Sequence, residues 1–221
     1  MSLKIDIIVD TVCPWCYVGK RRFERALEIR PQPDIQVGWR AFQLNPEMPR
    51  EGMDRRTYVA EKFGGTERAH SVHASLVQAG EEEGISFNFN NIEKTPNTVY
   101  SHRLVRYAAK FGLQTPVISA IFDAYFLEGR DIGEPDTLAR IADAAGMDHD
   151  DTLAFLESDR DTETILAEDE LARRLGVNGV PCFIVNRKYA VSGAQSPEVL
   201  VIACCDSRAA PETIFSAAPG A

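Results

Sequence analysis

Residues 3–20 read LKIDIIVDTVCPWCYVGK. Leu3 to Val9 is rich in Ile and Val and alternates as a buried strand does, and Pro14 to Ile29 follows with helical spacing at Tyr17, Phe23, Ala26 and Leu27. Cys13 therefore stands where a strand ends and a helix begins. Pro31 and Pro33 stop the helix, and Ile35 to Phe42 reads as a second strand, which predicts a βαβ unit with a helical crossover.

Beyond Asn45 the strand signal nearly vanishes until Asp159. The spacing predicts helices over Arg55–Phe63, Glu67–Glu83, Pro96–Phe111, Thr115–Leu127, Pro135–Ala145 and Asp148–Glu157, with Thr95 and Pro96 as cap and first-turn residue. A helix over Thr162–Leu175 leads to a break at Gly176–Pro181. Cys182–Val185 and Tyr189–Ser192 then read as a hairpin across Asn186–Lys188, and Ser196–Cys205 as a closing helix. The expected organisation is one domain built from 1–44 and 160–206, an all-helical insertion over 45–159, and a C-terminal tail over 207–221.

The chain has 221 residues, 44% of them hydrophobic and 26% charged, so it can bury a core without disulfide staples. Its net charge of −9 argues against nucleic acid or an anionic membrane as partner. Lys20, Arg21, Arg22 and Arg25 are read as the solvated face of the first helix. No run of about 18 uninterrupted apolar residues exists, and the N-terminus lacks a signal-peptide pattern, so the cytoplasm is the expected location. In that reducing compartment a CxxC pair serves catalysis or metal binding more often than structure.

A cysteine at a helix N-terminus lies among unpaired backbone N–H groups at the positive end of the helix dipole, which favours the thiolate, the form that attacks disulfides. Cys16 lies one turn further in, close enough to close a small ring, so Cys13 is the expected attacking thiol and Cys16 the resolving one. The competing reading is half of a zinc site, with His70 and His73 as the remaining ligands, although the chain has no second CxxC. Val180–Pro181 precedes a strand, and on residue statistics alone that bond is trans. Cys182 alternates within an apolar run as a buried inert thiol. Cys204 and Cys205, adjacent on a helix, point apart.

TVCPWCYVGKRRFE, FQLNPEMP, NTVYSHRL and GVNGVPCFIVNRKYAVSGAQS together resemble the DsbA superfamily, and within it the FrnE-like branch. The resemblance covers nearly the whole chain. It implies an α/β, thioredoxin-like fold interrupted by a large helical insertion, catalytic Cys13 and Cys16, and a cis Val180–Pro181 bond facing them. Pro14, Trp15, Val180 and Pro181 are then expected to contact substrate, with Val180 backbone groups pairing with an extended peptide or glutathione. No bound cofactor is implied, and glutathione would act as a thiol co-substrate.

The related 2-hydroxychromene-2-carboxylate isomerases carry Ser where Cys13 stands, and Asn97, Thr98 and His102 resemble the polar group near their glutathione site. Three functions are thus open. The first is exchange of protein or small-molecule disulfides, the second glutathione-dependent isomerisation of an aromatic or polyketide-like metabolite, and the third a non-catalytic redox or zinc-sensing adaptor.

Overall fold

The computed structural model describes residues 3–63 and 66–205. The side chains of His70, His73, Cys204 and Cys205 and the tail over 207–221 lie outside the described residues. In chain order the elements are β1 (Lys4–Val9), α1 (Pro14–Ile29), β2 (Gln36–Ala41), β3 (Met53–Asp54), α2 (Arg55–Phe63), α3 (Thr66–Glu82) and β4 (Lys94–Thr95). Then come α4 (Val99–Ala108), α5 (Gln114–Phe126), α6 (Pro135–Ala144), α7 (His149–Glu157), α8 (Thr162–Arg174), β5 (Cys182–Val185), β6 (Tyr189–Ser192) and α9 (Pro197–Leu200), followed by a π-helical turn over Val201–Cys205. The described residues form two compact units, one from 3–44 and 168–205, the other from 45–63 and 66–167, so the chain crosses between them inside α8.

The first unit is a mixed sheet in the order β2-β1-β5-β6, with β1 parallel to β2 across the α1 crossover and antiparallel to β5. Alternation along β1 divides the core. Ile5 and Ile7 stand opposite Val185 and Phe183, and Phe183 meets Phe23 of α1 with ring centroids 5.6 Å apart. Ile8 points the other way, into a cluster with Phe42, Ala172 of α8 and Cys182. The helix α1 buries Cys16, Tyr17, Val18, Gly19, Lys20, Phe23 and Ala26. Lys20 corrects the solvated-face reading: it is buried, and its ammonium meets Glu24 at 2.7 Å one turn on, because its position falls on the face shared with Cys16 and Phe23.

Cys182 is buried as the sequence suggests, and burial pushes its thiol up to about 11 from the model-compound value of 9.0. The linkage sign follows. Because the folded pKa is raised, stability is fully present below pH 9.0 and is lost as pH rises toward about 11, where the unfolded thiol has ionised first. Urea unfolding of the reduced protein should therefore weaken over that range, by up to about 3 kcal/mol from this group. In Cys182→Ala that part of the alkaline slope should disappear; a slope unchanged by the substitution would contradict the burial argument.

The second unit is helical around α5, whose Val117, Ile118, Ile121, Phe122, Tyr125 and Phe126 are all fully buried. It also carries a two-residue antiparallel ladder, Met53 opposite Thr95 and Asp54 opposite Lys94. This ladder corrects the expected start of α4. Thr95 is spent on the ladder, and the helix begins only at Val99, whose N–H is capped by Asn97 Oδ1 at 3.0 Å. The other helices fall within a residue or two of their predicted bounds, because their apolar spacing is regular, except the closing one: the α-helical part of the predicted Ser196–Cys205 ends at Leu200 and gives way to the π-helical turn.

Candidate functional site

The strand β1 ends at Val9, and the chain turns over Asp10–Cys13, closed by the Cys13 N–H donating to the Asp10 carbonyl at 3.1 Å. Cys13 is the N-cap residue of α1 with extended backbone, and Pro14 takes the first turn, where its missing N–H costs nothing. The Cys13 carbonyl accepts the N–H groups of Cys16 at 3.0 Å and Tyr17 at 3.4 Å, which sets the two cysteines on one face, one turn apart. Both are free thiols. Cys13 retains 5% exposure and Cys16 none, so only Cys13 can be reached from outside.

Burial holds the Cys16 thiol well above its ordinary pKa, and its hydrogen bond to Cys13 and the Cys13 charge add to the effect. The N–H of Asp10 acts the other way, while the Asp10 charge raises it again. Cys16 is consequently a thiol at neutral pH. The Cys13 thiol donates to the carbonyl of Val180 at 3.7 Å. This contact joins the N-terminal motif to the stretch before β5, 167 positions away in sequence.

The Val180–Pro181 peptide bond is cis. The Pro181 carbonyl accepts the Gly193 N–H at 2.8 Å, and Arg22 of α1 donates to the Ala194 carbonyl at 2.7 Å, so α1 and the ends of the β5–β6 hairpin are held together. Gly19 makes the approach feasible: a Cβ there would lie 2.6 Å from the Pro181 ring and 3.5 Å from the Ala194 Cα. Trp15 is half-buried on the first turn of α1. Among the described residues the N–H of Val180 has no acceptor, whereas its carbonyl is taken by Cys13.

A family model described as a DSBA-like thioredoxin domain matches residues 4–203. The chain belongs to this DsbA-like family. A probable DsbA oxidoreductase from Streptomyces coelicolor is 29% identical, with a TM-score of 0.85 over 99% of this chain and 96% of its own. The cytosolic disulfide reductase DsbM from Pseudomonas aeruginosa, solved with GSH, shares the fold at 18% identity, with a TM-score of 0.61 over 90% of this chain and 92% of its own. The Bacillus subtilis protein YwbO is 26% identical over 213 residues, 94% of this chain and 98% of its own. The α/β, thioredoxin-like fold with its helical insertion is thereby established.

In this DsbA-like chain Cys13, Pro14, Trp15, Cys16, Val180 and Pro181 all belong to the first unit, and Asn97 and Thr98 to the second. Asn97 donates to the Met48 carbonyl at 2.8 Å and caps Val99. Thr98 is buried, its carbonyl taking the Ser101 hydroxyl at 2.9 Å and the His102 N–H at 3.0 Å. Arg103, in the same motif, is 1% exposed and donates to the carbonyls of Phe155, Leu156, Ser158 and Arg160 at 2.6–3.0 Å. Asn97, Thr98 and Arg103 of the NTVYSHRL stretch thus all bond within the helical unit. No group of three or more His, Cys, Asp or Glu among the described residues is placed to hold a metal, and no helix among them is long and apolar enough to cross a membrane.

Gly19 and Asp10 escaped the sequence reading. For Asp10 a signal existed, since a charged residue follows the apolar run Ile7–Val9 three positions before the dithiol; Gly19 gave none. A methyl group at Gly19 should force the Pro181 ring away and with it the Val180 carbonyl. Gly19→Ala is expected to slow exchange with a disulfide substrate by about 10- to 100-fold while the helical unit keeps its circular dichroism. A wild-type rate would show that the spacing between α1 and Pro181 does not matter.

Proposed function

We propose that this chain is a thiol–disulfide oxidoreductase or isomerase of the FrnE type that works through Cys13 and Cys16. The observation that carries it is the Cys13 thiol at the N-cap of α1, beside the Val180 carbonyl, with a protonated Cys16 one turn behind. The Cys13 thiolate attacks one sulfur of a substrate disulfide, forming a mixed disulfide and expelling the other sulfur as a thiolate that takes up a proton. Cys16 then loses its proton, attacks the Cys13 sulfur and expels the remaining substrate sulfur as a thiol. The substrate gains two electrons and the protein leaves as the Cys13–Cys16 disulfide. Run in reverse, the same steps oxidise a dithiol.

Pro14 and Trp15 flank the attacking sulfur, and Val180 offers a free N–H for an extended backbone beside Pro181; we assign these four to substrate contact. Glutathione is the small-molecule partner this reading favours, since DsbM is described as a cytosolic reductase and was solved with GSH. The same compartment is proposed here. A cysteine at position 13, where the related isomerases carry Ser, favours exchange over metabolite isomerisation.

The test is an equilibrium titration in glutathione buffers followed by Trp15 fluorescence. A single two-electron transition, matched by a Cys13–Cys16 bond in mass spectrometry, is expected, with a midpoint within the range of about −270 to −120 mV spanned by such dithiols. Absence of any Cys13–Cys16 bond across the titration would refute the proposal.

A further inference from the structure

Arg22 stands among the basic residues that the sequence places on the solvated face of α1, yet it is half-buried and bonded. Its Nη1 donates to the Ala194 carbonyl at 2.7 Å, in the stretch 193–195 that follows β6. Two other bonds of that stretch are local: the Gln195 N–H donates to the Gly193 carbonyl at 2.9 Å, and the Gln195 side-chain amide to the Ser192 carbonyl at 2.8 Å. A third leads to the dithiol, since the Gly193 N–H donates to the Pro181 carbonyl at 2.8 Å. Gly19 and Arg22 lie three residues apart on α1 and so share a face. Gly19 leaves the room that the Pro181 ring fills, and Arg22 supplies the bond. Arg22, Ala194, Gly193, Pro181 and Val180 are thus linked without a gap, and the Val180 carbonyl accepts the Cys13 thiol at 3.7 Å.

Resting on the exchange reading, we propose that Arg22 is a positioning residue that makes the site selective for disulfides carried on a peptide backbone over disulfides that have none. A substrate that pairs with the Val180 N–H must seat its backbone and its disulfide at once, so the spacing between that N–H and the Cys13 sulfur has to be held. The β5–β6 ladder carries the first and α1 carries the second. Arg22 joins the two with a charged hydrogen bond, the stronger kind. A disulfide with no backbone to pair needs only the sulfur. Loss of the clamp therefore costs the first class of substrate its alignment and spares the second.

The experiment uses the full chain carrying Cys16→Ser, in which an adduct at Cys13 persists, and a pair of symmetrical disulfides that are equally dianionic near neutral pH. Oxidised glutathione has a peptide backbone; dithiobis(2-nitrobenzoate) has none. With either, the Cys13 thiolate attacks one sulfur, the mixed disulfide forms, and the other half leaves as its thiolate. The rate at which the Cys13 adduct forms is read by peptide mass spectrometry. In Arg22→Gln the glutathione rate should fall about 10-fold while the aryl rate stays within about 2-fold. Arg22→Lys, which keeps the charge and a donor, should lose about 3-fold toward glutathione only. Arg21→Gln removes the neighbouring, more exposed cation and should leave both rates in place.

An unchanged glutathione rate in Arg22→Gln, an equal fall for both disulfides, or the same selective fall in Arg21→Gln overturns the proposal. Should Arg22→Gln fail to fold, Arg22→Lys decides by the ratio of the two rates, and a ratio equal to that of the chain with Arg22 overturns it. Failure of the exchange reading would look different, as no Cys13 adduct with either disulfide even with Arg22 in place.

Discussion

Arg103→Met should destabilise the helical unit by about 3–5 kcal/mol, measured as the loss in urea or thermal unfolding followed by circular dichroism. The last carbonyls of a helix have no intrahelical donors, and a buried helix end must find them elsewhere. At the end of α7 they find the planar guanidinium of Arg103, whose Nε, Nη1 and Nη2 reach Arg160, Leu156, Phe155 and Ser158. Burial pulls its pKa down, opposed by Tyr100, Asp159 and Asp161. Methionine fills a similar volume but donates nothing, leaving those acceptors buried and unpaired. Arg103→Lys should recover only part of the loss, since an ammonium cannot span four carbonyls as the fork does. A variant within about 1 kcal/mol of wild type would mean that water satisfies these groups instead.

Cys13→Ser should abolish disulfide exchange, lowering insulin reduction or oxidation of a peptide dithiol by at least about 1,000-fold, because a hydroxyl at the N-cap neither ionises near neutral pH nor forms a mixed disulfide. Cys16 does not substitute. It has no exposure, and burial keeps it protonated. The fold should survive, since serine is a favoured N-cap residue. Residual exchange above that level would have to enter through another cysteine, and would displace Cys13 from the centre of the account.

Much of this was legible in the sequence where a local physical rule fixes the answer. The alternation of Ile5, Ile7 and Val9, the spacing along α1 and the turn chemistry at Asn186 and Arg187, both at positive φ, act over a few residues and leave a trace there. What was not legible came from pairings across long separations. The Thr95–Met53 ladder displaced the start of α4, because tertiary pairing outbids the capping preference of a Thr-Pro pair. Lys20 reads as a solvated charge, since long basic side chains nearly always are, and its burial beside Glu24 depends on which face of α1 packs inward; the burial of Arg103 against the end of α7 left no local signal. Likewise the dithiol motif identifies Cys13, but the Val180 carbonyl beside it comes from the far end of the chain.

The central claim is that Cys13 carries the substrate covalently and Cys16 releases it. The most direct measurement is intact-protein mass spectrometry of Cys16→Ser after incubation with oxidised glutathione. With no resolving thiol in place, one reducible glutathione adduct should accumulate, mapped to Cys13 and absent from Cys13→Ser and from the double variant. An adduct of equal yield in Cys13→Ser, or full exchange activity in both single variants, would contradict the account.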